Sequence, residues 1–295
     1  MRSFNPLQAP MIETSHPDAS YSYREFLPSP GLSPYVAAYW TLDVRPSARP
    51  PQHRILPDGC VDIIFDLHSH SASECAFVAG VMTVPDAFSI TEDHCLFGVR
   101  FYSETVRLFT RFPVSEFRNT QVFLHEIWGR DAFEFSESIM TAAETSQRIE
   151  RMESYLWNRL DRADFSLDEP ILLHGLRYVY EEKGMLSVKS LSEKLHYSER
   201  TVRRAFQKEL GISPKEMTDI IRFQYLLREL LHARSFRFPD IAAKYGYYDQ
   251  SHFIHSFKRF STALRLSRCS MPRAARVSVQ DVRFLQSFTG YRKRK

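Results

Sequence analysis

Between Leu191 and Phe260 the chain lays out one structural plan twice. The segment Leu191–Leu195, the turn His196–Ser198 and the run Glu199–Leu210 recur about 50 residues later as Ile241–Tyr245, Gly246–Asp249 and Gln250–Phe260. Each copy is a short helix, a tight turn and a longer helix. Such a unit hides its apolar stripes only by folding one helix across the other. Ser198 and Asp249 stand just before the longer helices, where a side-chain oxygen can accept an orphan backbone N–H. The repeat predicts a tandem helix-turn-helix array, a plan in which the second helix of each unit enters the DNA major groove.

The helical faces agree. In the first long helix Val202, Phe206 and Leu210 share one stripe, to be packed on Leu191 and Leu195. Arg200, Arg203, Arg204 and Gln207 share another. Guanidinium forks pair with guanine O6 and N7 or with phosphate, and this stripe presents three of them to solvent or to DNA. In the second unit Ile241, Phe253 and Phe257 are core candidates. Gln250, Ser251, His252 and His255 face the groove, and Lys258 and Arg259 face phosphates. Between the units, Gly211 suits a left-handed helix end and Pro214 a first helical turn. Pro214–Leu231 then spans 18 residues, about 27 Å of helix. Ile220, Phe223, Leu227 and Leu230 form its buried stripe. A spacer of that length would set two recognition helices about one DNA turn apart, roughly 34 Å, in successive major grooves.

Charge divides the chain in the same way. The net charge is +4, but residues 1–170 hold 14 Arg, no Lys and 24 Asp and Glu, and so sum to −10. Residues 171–295 hold 25 Lys and Arg against 11 Asp and Glu, and sum to +14. An acidic module joined to a basic one suggests a nucleic-acid binder with a partner domain. Residues 1–20 are Pro-rich and read as a loose arm. Val36–Leu42, Cys60–Leu67, Ala76–Val84 and Cys95–Phe101 read as strands. Thr105–Phe112 and Glu137–Leu160 read as helices, the latter with Ile149, Met152, Leu156 and Leu160 at helical spacing. The polar stretch Asp161–Pro170 marks a boundary. The domains expected are 20–165, β-rich and barrel-like with trailing helices, and 171–270, all-α. A basic tail, 271–295, follows. The fold class is multi-domain α+β.

Several functions are disfavoured. No apolar run approaches the roughly 18 residues of a membrane span, and no secretory leader stands at the N-terminus. Four cysteines in 295 residues are too few for a disulfide framework, so a reduced, cytoplasmic protein is expected. Dinucleotide, P-loop and nucleophile-elbow glycine motifs are absent. No cofactor is called for, and the chain reads as a non-enzyme. The best chemical motif is His68-Ser69-His70 with Glu74, which has the spacing of a cupin metal motif. The alternative is a polar hairpin, favoured by Ser69, Ser71 and Ser73. Cys60, Cys75 and Cys95 read as small core residues. Pro57-Asp58-Gly59 reads as a turn with Asp58 bonding locally. Asp62 is expected to pair with Arg54 or Arg100, or else to meet a ligand.

The segment from Leu186 to Phe260 resembles the AraC/XylS-type family of bacterial transcription regulators. The residues that carry the likeness are Leu191 to Lys194, Ser198 to Phe206, Gly211 to Lys215, Ile221 to Phe223, Ile241 to Ala243, Tyr245 to Tyr247 and Asp249 to Phe253 with Phe257 to Phe260. The resemblance implies base-reading positions at Arg200, Thr201, Arg203 and Arg204 in the first unit and at Gln250, Ser251, His252 and His255 in the second. The acidic half, through Leu56 to Phe65, Val78 to Gly80, Gly98 to Phe101 and Trp128-Gly129, resembles an uncharacterised domain often fused to such regulators. It implies a sensor or dimerisation role. The chain departs from these patterns at Ser261 to Leu264, at Met217 and at Tyr102-Ser103. The expectation is a sequence-specific regulator of transcription with double-stranded DNA as partner. An unidentified small effector, RNA polymerase and a second copy of the chain are the further partners implied. A cupin-like metal enzyme fused to a DNA-binding module and a sequence-neutral DNA binder are the alternatives.

Overall fold

The computed structural model describes residues 4–8, 21–45, 52–89, 92–162, 170–232 and 238–261. The N-terminal half is built on a six-stranded antiparallel sheet in the order β1-β2-β7-β4-β5-β8. Its strands are β1 (Tyr21–Phe26), β2 (Val36–Val44), β4 (Cys60–Asp66), β5 (Ala76–Ala79), β7 (His94–Tyr102) and β8 (Gln121–Phe123). A separate two-stranded ribbon joins β3 (Gln52–Ile55) to β6 (Asp86–Ser89). Among the described residues the main sheet stays open, with β1 and β8 at its edges, so it is β-rich without closing into a barrel.

Side chains alternate across the sheet with the period of two that strands impose. Tyr39, Ile63, Phe65, Phe97 and Val99 point into the main core. Trp40, Leu42, Val44 and Ile64 form a second cluster on the opposite face. Against the main-core face lie α1 (Arg107–Thr110), a 3-10 turn (Val114–Phe117), α2 (Leu124–Trp128), α3 (Asp131–Met140) and α4 (Thr145–Asp161). The single helix expected over Glu137–Leu160 is thus two. Glu144 takes an extended conformation and forms a capping box with Gln147, and this local satisfaction of the backbone starts a fresh helix. Met152 and Leu156 are buried as their spacing implied.

The C-terminal half comprises α5 (Pro170–Glu181), α6 (Val188–Leu195), α7 (Glu199–Leu210), α8 (Pro214–His232), α9 (Phe238–Lys244) and α10 (Gln250–Ser261). Leu191, Leu195, Val202, Phe206 and Leu210 are all buried, as are Ile220, Phe223, Leu227 and Leu230 of α8. Phe223 meets the rings of Phe257 and Phe260 at 5.6 and 5.3 Å. No helix among the described residues is long and apolar enough to cross a membrane.

One hydrophobic core runs through both halves. The arm expected to be loose contributes to it. Phe4 stacks on Tyr180 of α5 at 4.8 Å, and Leu7 N–H donates to Gln224 Oε1 of α8 at 2.8 Å. The rest of that arm, the stretch around the expected boundary (163–169) and the basic tail lie outside the described residues.

Candidate nucleic-acid interface

Ser198 caps α7 by accepting the Thr201 N–H at 3.1 Å, and its hydroxyl also meets Thr201 Oγ1 at 2.8 Å. Asp249 does the same for α10, accepting the His252 N–H at 2.7 Å. Gly211 closes α7 in the left-handed conformation. With both helices fixed at their starts, their faces are determined by the 3.6-residue period. Arg200, Arg203, Arg204 and Gln207 are exposed, opposite the buried Val202, Phe206 and Leu210. Arg203 is held by Glu199 one turn earlier at 2.9 Å. Thr201 is half-buried, and its hydroxyl is engaged by the cap.

In α10, Ser251, His252 and His255 are exposed. His252 packs its ring edge-on against Tyr247 at 5.4 Å, and its Nδ1 accepts from the Tyr248 N–H at 3.5 Å. Gln250 opens the helix, but its side chain is outside the described residues. Arg259 is exposed, with its guanidinium over Phe260 at 5.1 Å, and Lys258 is half-buried. Two residues that sequence reasoning missed stand beside these sets. Tyr197 and Tyr248, 46% and 93% exposed, each directly precede an N-cap. Aligning the two copies of the repeat on their caps would have found them.

Packing between the halves grips the first unit from behind. Arg118 donates to the Gly211 carbonyl at 2.6 Å, and Ser115 to the Lys208 carbonyl at 2.7 Å. Arg107 pairs at 2.5 Å with Glu209, which is buried. These contacts take the C-terminal end of α7 and leave its arginine face open. The second unit is tied to α8 through Tyr245, whose hydroxyl donates to Glu229 at 2.7 Å, and through the Lys244–Glu229 pair at 2.7 Å.

β4 ends at Asp66, so His68 and His70 sit in a turn rather than on a strand face. Among the described residues no group of three or more His, Cys, Asp and Glu could hold a metal ion. Cys60 and Cys75 are buried, and burial raises both thiols. Burial and Asp43 push Cys95 up to about 12, so none of the three is primed as a thiolate.

Polar density gathers instead around Arg100, whose side chain is 3% exposed. Glu25 lies 3.0 Å from it, Asp58 3.3 Å and Asp62 3.2 Å. Of the two partners expected for Asp62, the structure therefore supplies Arg100. Asp58 also accepts the Cys60 N–H at 2.9 Å, as its place in the turn implied, and receives the Gln8 amide at 2.8 Å.

Residues 24–123 match a family described as Domain of unknown function (DUF6597). Residues 191–263 match one described as Helix-turn-helix domain. The chain is 24% identical over 179 residues to the uncharacterized HTH-type transcriptional regulator YtdP of Bacillus subtilis (strain 168), a match that covers 56% of this chain and 23% of that protein. The chain thus spans about a quarter of the length of that relative. The crystal structure of an apo single-residue variant of ToxT from Vibrio cholerae strain SCE256 superposes with a TM-score of 0.37 at 10% identity, covering 83% of this chain and 95% of that one.

Proposed function

We propose that the chain, in which residues 24–123 match a domain of unknown function and residues 191–263 a helix-turn-helix domain, is a sequence-specific DNA-binding regulator of transcription of the AraC/XylS type. Residues 171–270 are the DNA-binding domain in this reading, and residues 20–165 sense a ligand or mediate dimerisation. Helices α7 and α10 enter successive major grooves. Arg200, Thr201, Arg203 and Arg204 read bases from the first, and Gln250, Ser251, His252 and His255 from the second. Lys258 and Arg259 hold phosphates, joined by the tyrosines at the two caps. Ligand binding to the N-terminal domain shifts the DNA-binding equilibrium. RNA polymerase and a second copy of the chain are the protein partners, and the cytoplasm is the compartment.

One observation carries this reading. Arg200, Arg203 and Arg204 form an exposed cationic stripe on a capped helix whose opposite stripe is buried in the core. Arg200 and Arg204 have no ion pair among the described residues. Burial orients the helix, so the stripe is presented to solvent as a fixed array, which is what groove recognition requires.

The test is selection of bound duplexes from a random DNA pool by the full chain at fixed salt. The expected product is one motif with two half-sites about a helical turn apart. Arg203→Ala should then cost roughly 1–3 kcal/mol on that motif and relax one base position, whereas Lys258→Ala should weaken all duplexes alike. Equal loss on specific and random DNA for Arg203→Ala would remove it from the base-reading set. Recovery of nothing above random would sink the regulator reading.

A further inference from the structure

The geometry points to a binding site for a small organic cation, an ammonium group on a single-ring or short aliphatic body, in the cavity between the main sheet and the β3–β6 ribbon. The regulatory meaning of this site rests on the function proposed above; the binding itself does not. The cavity measures about 170 Å³, and an engineered protein cavity of about 150 Å³ accepts benzene. Trp40, Ile64, Phe77 and Leu96 give it apolar walls from the sheet, and His53 and Ile55 close it from the ribbon. Gly98 makes the room. A methyl group there would come within 2.1 Å of Trp40 Cε2, so only glycine lets the indole lie flat over the sheet.

Charge sets the class of ligand. Arg100, Asp58 and Asp62 also line the cavity, and Glu25 completes the ion cluster. One guanidinium meets three carboxylates, which sum to −2 when all are ionised. Arg100 is taken up by those carboxylates, so an incoming anion would have to displace one of them and add a further buried negative charge. An incoming cation offsets the surplus. Asp62 Oδ1 is buried without a hydrogen-bond donor, because Arg100 Nε at 3.2 Å is not aligned with it. An orphaned buried acceptor of this kind marks a cluster short of donors, and an ammonium group beside it in the cavity offers charge-assisted hydrogen bonds. The Tyr23 and Trp40 rings stack with centroids 6.0 Å apart, and Trp40 is 4% exposed. Their faces add cation–π attraction, for which indole is the strongest partner.

Thermal unfolding and calorimetric titration of the full chain with benzylamine, benzyl alcohol and benzoate hold the ring nearly constant while varying the charge. Benzylamine should raise Tm progressively with concentration, as a ligand of the folded state must. Benzyl alcohol should bind at least about tenfold more weakly, since it loses the charge-assisted bond, and benzoate should not bind. Asp62→Asn should weaken benzylamine by about tenfold or more, and Glu25→Gln should do the same by removing one charge from the cluster. Glu25 stands on the edge strand β1, and keeps the test decisive should Asp62→Asn not fold. Benzoate binding as tightly as benzylamine, no binding of any of the three at millimolar concentration, or variants that bind like the parent each overturn the assignment. Duplex selection on the same preparation separates the two readings. A recovered motif without amine binding removes the ligand class and leaves the regulator. Amine binding without a motif does the reverse.

Discussion

Asp62 concentrates the electrostatics of the N-terminal half in one side chain. Burial pushes its carboxyl up to about 6; Arg100 opposes the rise, while Asp58 and Glu25 add to it. Those groups, Tyr23 and the Cys60 thiol, from β1, β7, β4 and the turn before it, are the titratable and charged groups that face it. Between about pH 4 and 6 the folded chain therefore holds a proton that the unfolded chain has lost. The associated stability is present at the acid end of that window and disappears as pH rises through about 6. In Asp62→Asn this downward contribution to the pH profile should vanish, and urea unfolding measured at pH 4, 5, 6 and 7 checks it; an unchanged profile would contradict it. The sequence offered Arg54 and Arg100 as partners for Asp62. Strand register decides between them, because Asp62 lies directly opposite Arg100 across β4 and β7. Register is a long-range property that a local pattern does not carry. The exposed arginine stripe of α7 was legible for the opposite reason, since a helix of known start fixes its own faces.

Elements that cap themselves were the readable ones. Ser198, Asp249, Gly211 and Pro214 each declare a helix end through local chemistry, and all four stand where that chemistry placed them. Ser198→Ala should cost about 0.5–2 kcal/mol of stability. It should also weaken DNA binding beyond that loss, because the cap orients the first turn of α7, and Thr201 with it. Chemical denaturation and a duplex titration measure the two effects, and restoration of both by Ser198→Asp would tie them to the cap. Strands without such punctuation were missed. β1, β3, β6 and β8 are short, and β1 and β8 are sheet edges whose residues alternate between exposed and half-buried. Their hydrogen bonds come from neighbours distant in sequence, so strand propensity says little about them. The break at Glu144 escaped notice because the apolar spacing on either side continues in phase across it.

At the scale of the molecule, the two halves share one core and are bolted together by Arg107, Ser115 and Arg118 against the end of α7. None of this docking was legible, because each contact joins residues about 90 to 100 positions apart. Composition shift, which did reveal two halves, is silent on how they meet. A shared core should unfold as one unit, so scanning calorimetry should give a single transition whose calorimetric and van't Hoff enthalpies agree. Two resolved transitions would contradict it. The turn around Gly59 extends the consequence. Asp58 and Cys60 line the cavity, while Gln224 of α8 donates to the Pro57 carbonyl at 2.9 Å. A methyl at Gly59 would stand 3.1 Å from Met217 and 3.3 Å from Ile221, both on α8. The floor of the proposed ligand site is therefore the seat of the helix that joins the two helix-turn-helix units. Thermodynamic linkage runs both ways through such a joint. In the proposed regulator, whatever factor an amine imposes on operator affinity, the operator imposes on the amine, which would make the genome itself an effector of the sensor.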